Sequence, residues 1–154
     1  MSITININTG LSGFVLLDRL GELGEAAGNI AGSRHFTAPP SLALAIESLA
    51  QLGAYHVRYL THFEKHAFLL KIKSCRLPAS PMPAGIYTLS GELQGRSAAA
   101  FTHLLRAKLA DEIIMEGVFL FAVVDYDSAF RKEILQKHYQ RVFSCLQKDI
   151  GIDC

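Results

Sequence analysis

Apolar positions along this chain follow several distinct patterns, each predicting a different element. After Pro39-Pro40, residues Leu42, Ile46, Leu49, Ala50, Gly53, Val57 and Leu60 recur at the three-and-four spacing of one helical face. Ser41 is suited to cap that helix, because its hydroxyl can accept an otherwise unpaired N–H of the first turn. The segment is about 18 residues long and rich in Ala and Leu. It is apolar over much of its circumference, as expected of a helix enclosed by other elements.

From His66 the period changes to two. Phe68, Leu70 and Ile72 alternate with Leu69, Lys71 and Lys73, which predicts a strand with one wetter face, ended by the proline-rich stretch LPASPMPAG. Tyr87, Leu89 and Leu93 then alternate with Thr88, Ser90 and Glu92, and Gln94-Gly95-Arg96-Ser97 supplies turn chemistry before Phe101 to Leu109, so a hairpin is predicted. Asp111-Glu112 offers the next turn. The run IIMEGVFLFAVV behind it is β-branched and aromatic enough for a strand buried on both faces.

A final helix, over about residues 128–148, places Phe130, Ile134, Leu135, Val142, Phe143 and Leu146 on one side and Lys132, Glu133, Lys137 and Lys148 on the other. Its apolar stripe should pack on the sheet or a subunit seam. A membrane-surface role is disfavoured, since Asp149 and Asp153 weaken the cationic face. The N-terminal region stays open on pattern alone: Leu16, Leu20, Leu23 and Ala27 fit a helix, whereas Gly21, Gly24 and Gly28 oppose one.

Composition narrows the class. The chain has 154 residues, half of them hydrophobic, which suits one domain with a full apolar core. A formal charge of +1 gives no basic excess for nucleic acid. Cys75, Cys145 and Cys154 are odd in number and without a CxxC pair, arguing against a disulfide framework or a zinc site and favouring a reducing cytoplasm. No basic cluster followed by an apolar core opens the chain. The longest apolar run, Gly117 to Val124, is too short for a bilayer, so no membrane span and no targeting segment are expected. The histidines His56, His62, His66, His103 and His138 lack any ligand spacing, and no P-loop, GxSxG or Rossmann glycine pattern is present. No metal and no cofactor are expected.

One stretch carries chemistry. Ser33-Arg34-His35-Phe36-Thr37-Ala38-Pro39-Pro40, followed by Ile46-Glu47-Ser48-Leu49-Ala50-Gln51, resembles the G-H-F-P-G loop and E-A-L-A-Q helix of the 3-hydroxyacyl-acyl-carrier-protein dehydratases. Phe14 to Leu20 is similar to that family's F-L-L-V-D-R-V strand, and Arg76-Leu77 through Pro81-Met82-Pro83-Ala84-Gly85 to its R-F-x-x-P-V-x-P-G turn. The resemblance covers about residues 14–125 and leaves the last helix outside it. It implies an α+β hot-dog fold, a curved antiparallel sheet wrapped around the long central helix. The core would run over residues 11–125, with strands at 14–23 and 26–31. It also implies a homodimer with a tunnel at the subunit seam, His35 of one chain facing Glu47 of the other, and an acyl carrier protein or coenzyme A thioester as partner.

Dehydration of a 3-hydroxyacyl thioester takes a proton from the carbon beside the carbonyl and protonates a departing hydroxide. Two proton-transfer groups are needed. Histidine, with an ordinary pKa near ~6.5, suits the base, and a glutamate enclosed by apolar neighbours such as Ile46 and Leu49 suits the acid. Gln51, four residues on, is placed to orient Glu47. Charge developing on the thioester oxygen calls for backbone N–H donors at the helix start. There Ser41-Leu42 stands where the family has Pro-Gly, and the His-to-Glu spacing is 12 residues rather than 14. Phe36, Ser41, Leu42 and Gln51 are therefore the expected substrate contacts. Three readings remain open: a dehydratase, favoured by the histidine ahead of the helix; a thioesterase, in which a helix carboxylate activates water or attacks the thioester; and a non-catalytic acyl or carrier-protein binding module. Lys65, Lys71, Lys73 and Arg76 suit an acidic carrier, although a solvated strand face explains them as well.

Overall fold

The computed structural model describes residues 15–21, 23 and 28–148. The central helix α1 spans Leu42–Leu60, capped by Ser41, whose side chain accepts the Leu44 N–H. Leu49, Leu52 and Val57 on its buried side are fully enclosed. Leu42, at the open end of the expected stripe, is exposed.

Six strands form one antiparallel sheet: β1 (Arg19–Leu20), β2 (Asn29–Phe36), β3 (His66–Arg76), β4 (Gly85–Arg96), β5 (Ala100–Leu109) and β6 (Glu112–Val124), in spatial order β1-β2-β4-β5-β6-β3. The meander β4-β5-β6 follows the predicted hairpins. β6 alternates buried and half-buried residues until Phe121 to Val123, where three in a row are buried, so only its end is enclosed on both faces. α1 lies across the sheet and touches β2 through β6. It approaches most closely at Gly53, where an added Cβ would run into the Phe121 ring and come within 3.3 Å of Leu105.

Three local expectations are corrected. The N-terminal strand over 14–23 is reduced to Arg19–Leu20 among the described residues, with Val15 to Leu17 outside any regular element; Phe14, Glu22 and residues 24–27 lie outside the description. The expected loop beginning at Ser33 is strand as far as Phe36, because β2 pairs with β4 over its whole length, down to Phe36 opposite Gly85. The strict alternation in β3 fails. Register shifts between Leu69 and Lys71 and between Ile72 and Ser74 leave Leu69, Ile72 and Cys75 half-buried, whereas Phe68 and Leu70 face outward. Each bulge inserts a residue on one strand only and so converts a period of two into one of three.

The last helix, α2, spans Lys132–Gln147 and buries Val142, Phe143 and Leu146. Phe143 packs on Tyr55, Tyr59 and Phe63, at and beyond the C-terminal half of α1. The front of the predicted stripe stays uncovered: Ile134 is exposed, and Phe130 precedes the helix. Cys75 is a free thiol, whereas Cys145 is disulfide-bonded, so residue spacing was a poor guide to the state of the cysteines. No helix among the described residues is long and apolar enough to cross a membrane.

Candidate active site

Glu47 sits in the second turn of α1, half-buried, on the side that α1 turns toward β3. Gln51 lies one turn further on. Its Nε2 donates to Glu47 Oε1 at 3.1 Å, while its Oε1 accepts the Leu16 N–H at 2.8 Å. The carboxylate is thus held by an amide that is itself fixed to the chain preceding β1. The i,i+4 geometry of a helix makes this pair possible.

A cleft of about 310 Å³ opens beside Glu47, between α1, β3 and α2. Val15, Ala50, Ala54, Phe68 and Leu69 give it apolar walls. Its polar groups are Glu47 and Gln51 from the first half of α1, then Arg58, His66 and His138. Mixed apolar walls with a few convergent polar groups are the usual character of a small-molecule site.

The other expected site residues lie elsewhere. His35, exposed near the end of β2, does not line this cleft; its N–H donates to Asp18 Oδ2, and Asp18 Oδ1 accepts from Arg34 at 3.2 Å. Asp18 therefore fixes the backbone that carries His35. Phe36 is buried edge-on against Tyr87, whose hydroxyl donates to the Pro83 carbonyl, and so belongs to the core. The Ser41 hydroxyl is engaged in capping, and Ala45 N–H bonds to the Ser41 carbonyl. The amides of Leu42 and Ala43 are left as the free donors of the first turn. Within one chain, then, Glu47 and Gln51 share a cleft and His35, Phe36, Ser41 and Leu42 do not enter it.

Sequence reasoning missed Arg58, His66 and His138. Arg58 and His66 are each only 6% exposed. The Arg58 guanidinium lies 3.7 Å from the Tyr139 ring centroid and 5.3 Å from that of Tyr55, and its Nη2 donates to the Ala67 carbonyl at 2.8 Å. His66 stacks on Phe130 at 4.4 Å. Burial, then the nearby Arg58 charge, pushes the His66 ring below its ordinary pKa; for His138 the order is burial, then Arg141 and Arg58. The one available signal was an arginine placed between Val57 and Tyr59 on a helix rich in apolar residues. No group of three metal-ligating side chains occurs among the described residues.

No protein-family model matches this sequence, and no curated protein matches it. Solved structures do. A thioesterase from Haemophilus influenzae, HI1161, superposes with a TM-score of 0.62 at 12% identity, covering 81% of this chain and 93% of that one. The conserved protein PA5202 from Pseudomonas aeruginosa gives 0.62 at 12% identity over 73% and 92%. A variant of thioesterase PA1618 from the same organism gives 0.60 at 14% identity over 79% and 91%. Identities this low speak for architecture alone. The six-stranded antiparallel sheet around a central helix, with a C-terminal helix added, is the hot-dog fold.

Proposed function

We propose that this chain hydrolyses acyl thioesters, with Glu47 as the catalytic carboxylate. The carrying observation is the arrangement at the cleft: a half-buried carboxylate held by Gln51 on the wall of an apolar cleft that His35 does not enter. That arrangement suits hydrolysis, which needs one carboxylate and water, better than dehydration, which needs a second proton-transfer group facing the first: the cleft's own histidines, His66 and His138, lie at its Arg58 end. The thioesterases among the structural neighbours support the same reading.

In this mechanism Glu47 takes a proton from water as the oxygen attacks the thioester carbonyl. The C–S bond then breaks, and the departing thiolate receives the proton, giving a carboxylic acid and a free thiol. The Leu42 and Ala43 amides, about one to two turns before Glu47 on α1, are the candidate donors for the oxyanion. The thiol would be coenzyme A or the prosthetic arm of an acyl carrier protein.

Release of free thiol from acyl-coenzyme A by the purified chain tests the proposal. Glu47→Gln should lower kcat/KM by about 10² to 10⁴, the usual worth of a proton-transfer group, with the melting temperature little changed. Undiminished hydrolysis in Glu47→Gln would overturn the assignment. Dehydration is the second reading, with His35 supplied across a homodimer. Hydration of an enoyl thioester, abolished by both His35→Ala and Glu47→Gln, would establish it instead.

A further inference from the structure

Three side-chain nitrogens around one end of the cleft are buried without a hydrogen-bond partner: Arg58 Nε, His66 Nδ1 and His138 Nδ1. They come from α1, β3 and α2, and all three side chains surround Tyr139. A buried polar group left unpaired costs about 1–3 kcal/mol, more when charged, so three together are an expensive arrangement for a merely structural cluster. Burial disfavours the charged form of both imidazoles, which leaves Arg58 as the fixed positive charge.

No carboxylate among the described residues neutralises it. The acids on neighbouring segments are held by other groups: Glu64 accepts from Lys132 and Gln136, and Asp127, whose charge is felt at His66, has its Oδ1 on the Ala129 and Phe130 amides. Glu47 is on the same cleft but about 16 Å away along the helix axis, at 1.5 Å per residue. Buried charges are normally paired. The missing partner is an anion.

We propose that the Arg58–His66–His138 end of the cleft is a carboxylate-binding subsite, and that the chain selects thioesters whose acyl group ends in a second carboxylate. This rests on the thioesterase reading for where the other end of the substrate lies. With the thioester carbonyl at Glu47, the chain crosses the apolar walls of Ala50, Ala54 and Leu69 and brings its far terminus to Arg58. A planar carboxylate offers two oxygens and about four acceptor positions, enough for a guanidinium edge and for both imidazoles in their Nδ1–H tautomers, and Arg is well matched to such a group. At about 30 Å³ per water-sized group, 310 Å³ admits on the order of ten non-hydrogen atoms. An octanedioyl group is of this size.

The test compares octanedioyl-coenzyme A with octanoyl-coenzyme A, and measures binding of free octanedioate by calorimetry. The wild-type chain should prefer the dicarboxylic thioester by at least tenfold in kcat/KM, and Arg58→Met should abolish or reverse that preference. Because Arg58 also holds Tyr139 and the Ala67 carbonyl, His138→Leu serves as a second variant on a less enclosed side chain. It should lose part of the preference, read as the ratio of kcat/KM for the two thioesters. A preference and an octanedioate affinity that neither variant changes overturn the subsite. Equal or better turnover of octanoyl-coenzyme A by the wild-type chain overturns the subsite and leaves the thioesterase intact. If neither thioester is hydrolysed, the thioesterase reading fails and calorimetry decides the subsite: octanedioate binding that Arg58→Met or His138→Leu weakens upholds it, and no binding overturns it.

Discussion

Gln51 bridges two parts of the site that the sequence separates. One end of its amide holds the Glu47 carboxylate and the other holds the Leu16 N–H, so a single side chain fixes both the proposed catalytic group and the segment that walls the cleft at Val15. Gln51→Ala would free the carboxylate to rotate and strand the Leu16 amide. Expected are a fall of about tenfold to hundredfold in kcat/KM for thioester hydrolysis, in line with the cost of a misplaced catalytic group, and a loss of about 1 kcal/mol in stability. Steady-state kinetics and urea unfolding separate the two effects. The pair is legible in sequence, since four residues on a helix bring side chains together. Arg58, His66 and His138 are not. They lie on three elements and meet only because α2 folds back over α1, and no spacing rule connects residue 138 to residue 58.

At the scale of elements, patterning succeeded where geometry was regular. α1 and the β4-β5-β6 meander follow directly from periods near 3.6 and 2. β3 escaped because its two bulges are defined by pairing with β6, which local alternation does not encode. The close approach of α1 to the sheet is similarly a contact between distant residues, marked in sequence only by Gly53. Gly53→Ala places a methyl group against Phe121 and must push the helix or the ring aside. Helix propensity favours Ala by up to about 1 kcal/mol, yet overpacking costs about 1–3 kcal/mol. A net destabilisation is expected, read as a lower denaturation midpoint at unchanged m-value. α1 and β5 are also joined by a buried histidine pair, with His56 Nδ1 2.9 Å from His103 Nε2. Burial, then the neighbouring His56, pushes His103 down to about 3. The unfolded chain protonates this ring near 6.5 and the folded chain only near 3, so the unfolded state takes up the extra proton as pH falls between those values. Stability should therefore decline below pH 6.5, by about 1.4 kcal/mol per pH unit for this residue. His66 and His138, both lowered, act in the same direction. Unfolding at pH 7 and pH 4.5 should show a steeper loss in wild type than in His103→Leu.

For the whole molecule, the edge position of β3 matters most. That strand carries Phe68 and Leu70 outward, Leu70 being 58% exposed, and its residues His66 to Leu69 form one wall of the cleft. Leu42 and Leu44 add exposed apolar surface at the start of α1. A second copy seated on these residues would cover them and close the cleft from solvent, and we propose this face as the seam of the homodimer that the sequence resemblance implies. Leu70→Lys combined with Phe68→Glu should shift the chain from dimer to monomer in sedimentation and reduce thioester turnover with it. An unchanged sedimentation coefficient would exclude this face as the interface.

The guanidinium of Arg58 faces two ways, stacked on Tyr139 of α2 and bordering the cleft. Whatever fills the cleft therefore also bears on how firmly the C-terminal helix is latched. An anion that orients Arg58 would hold its stacking plane against Tyr139, and the backbone amides of α2 would open to solvent less often. Occupancy of the cleft would thereby become a tension on the chain's last helix, and in the proposed reading this addition to the hot-dog core would help retain substrate as well as pack against α1.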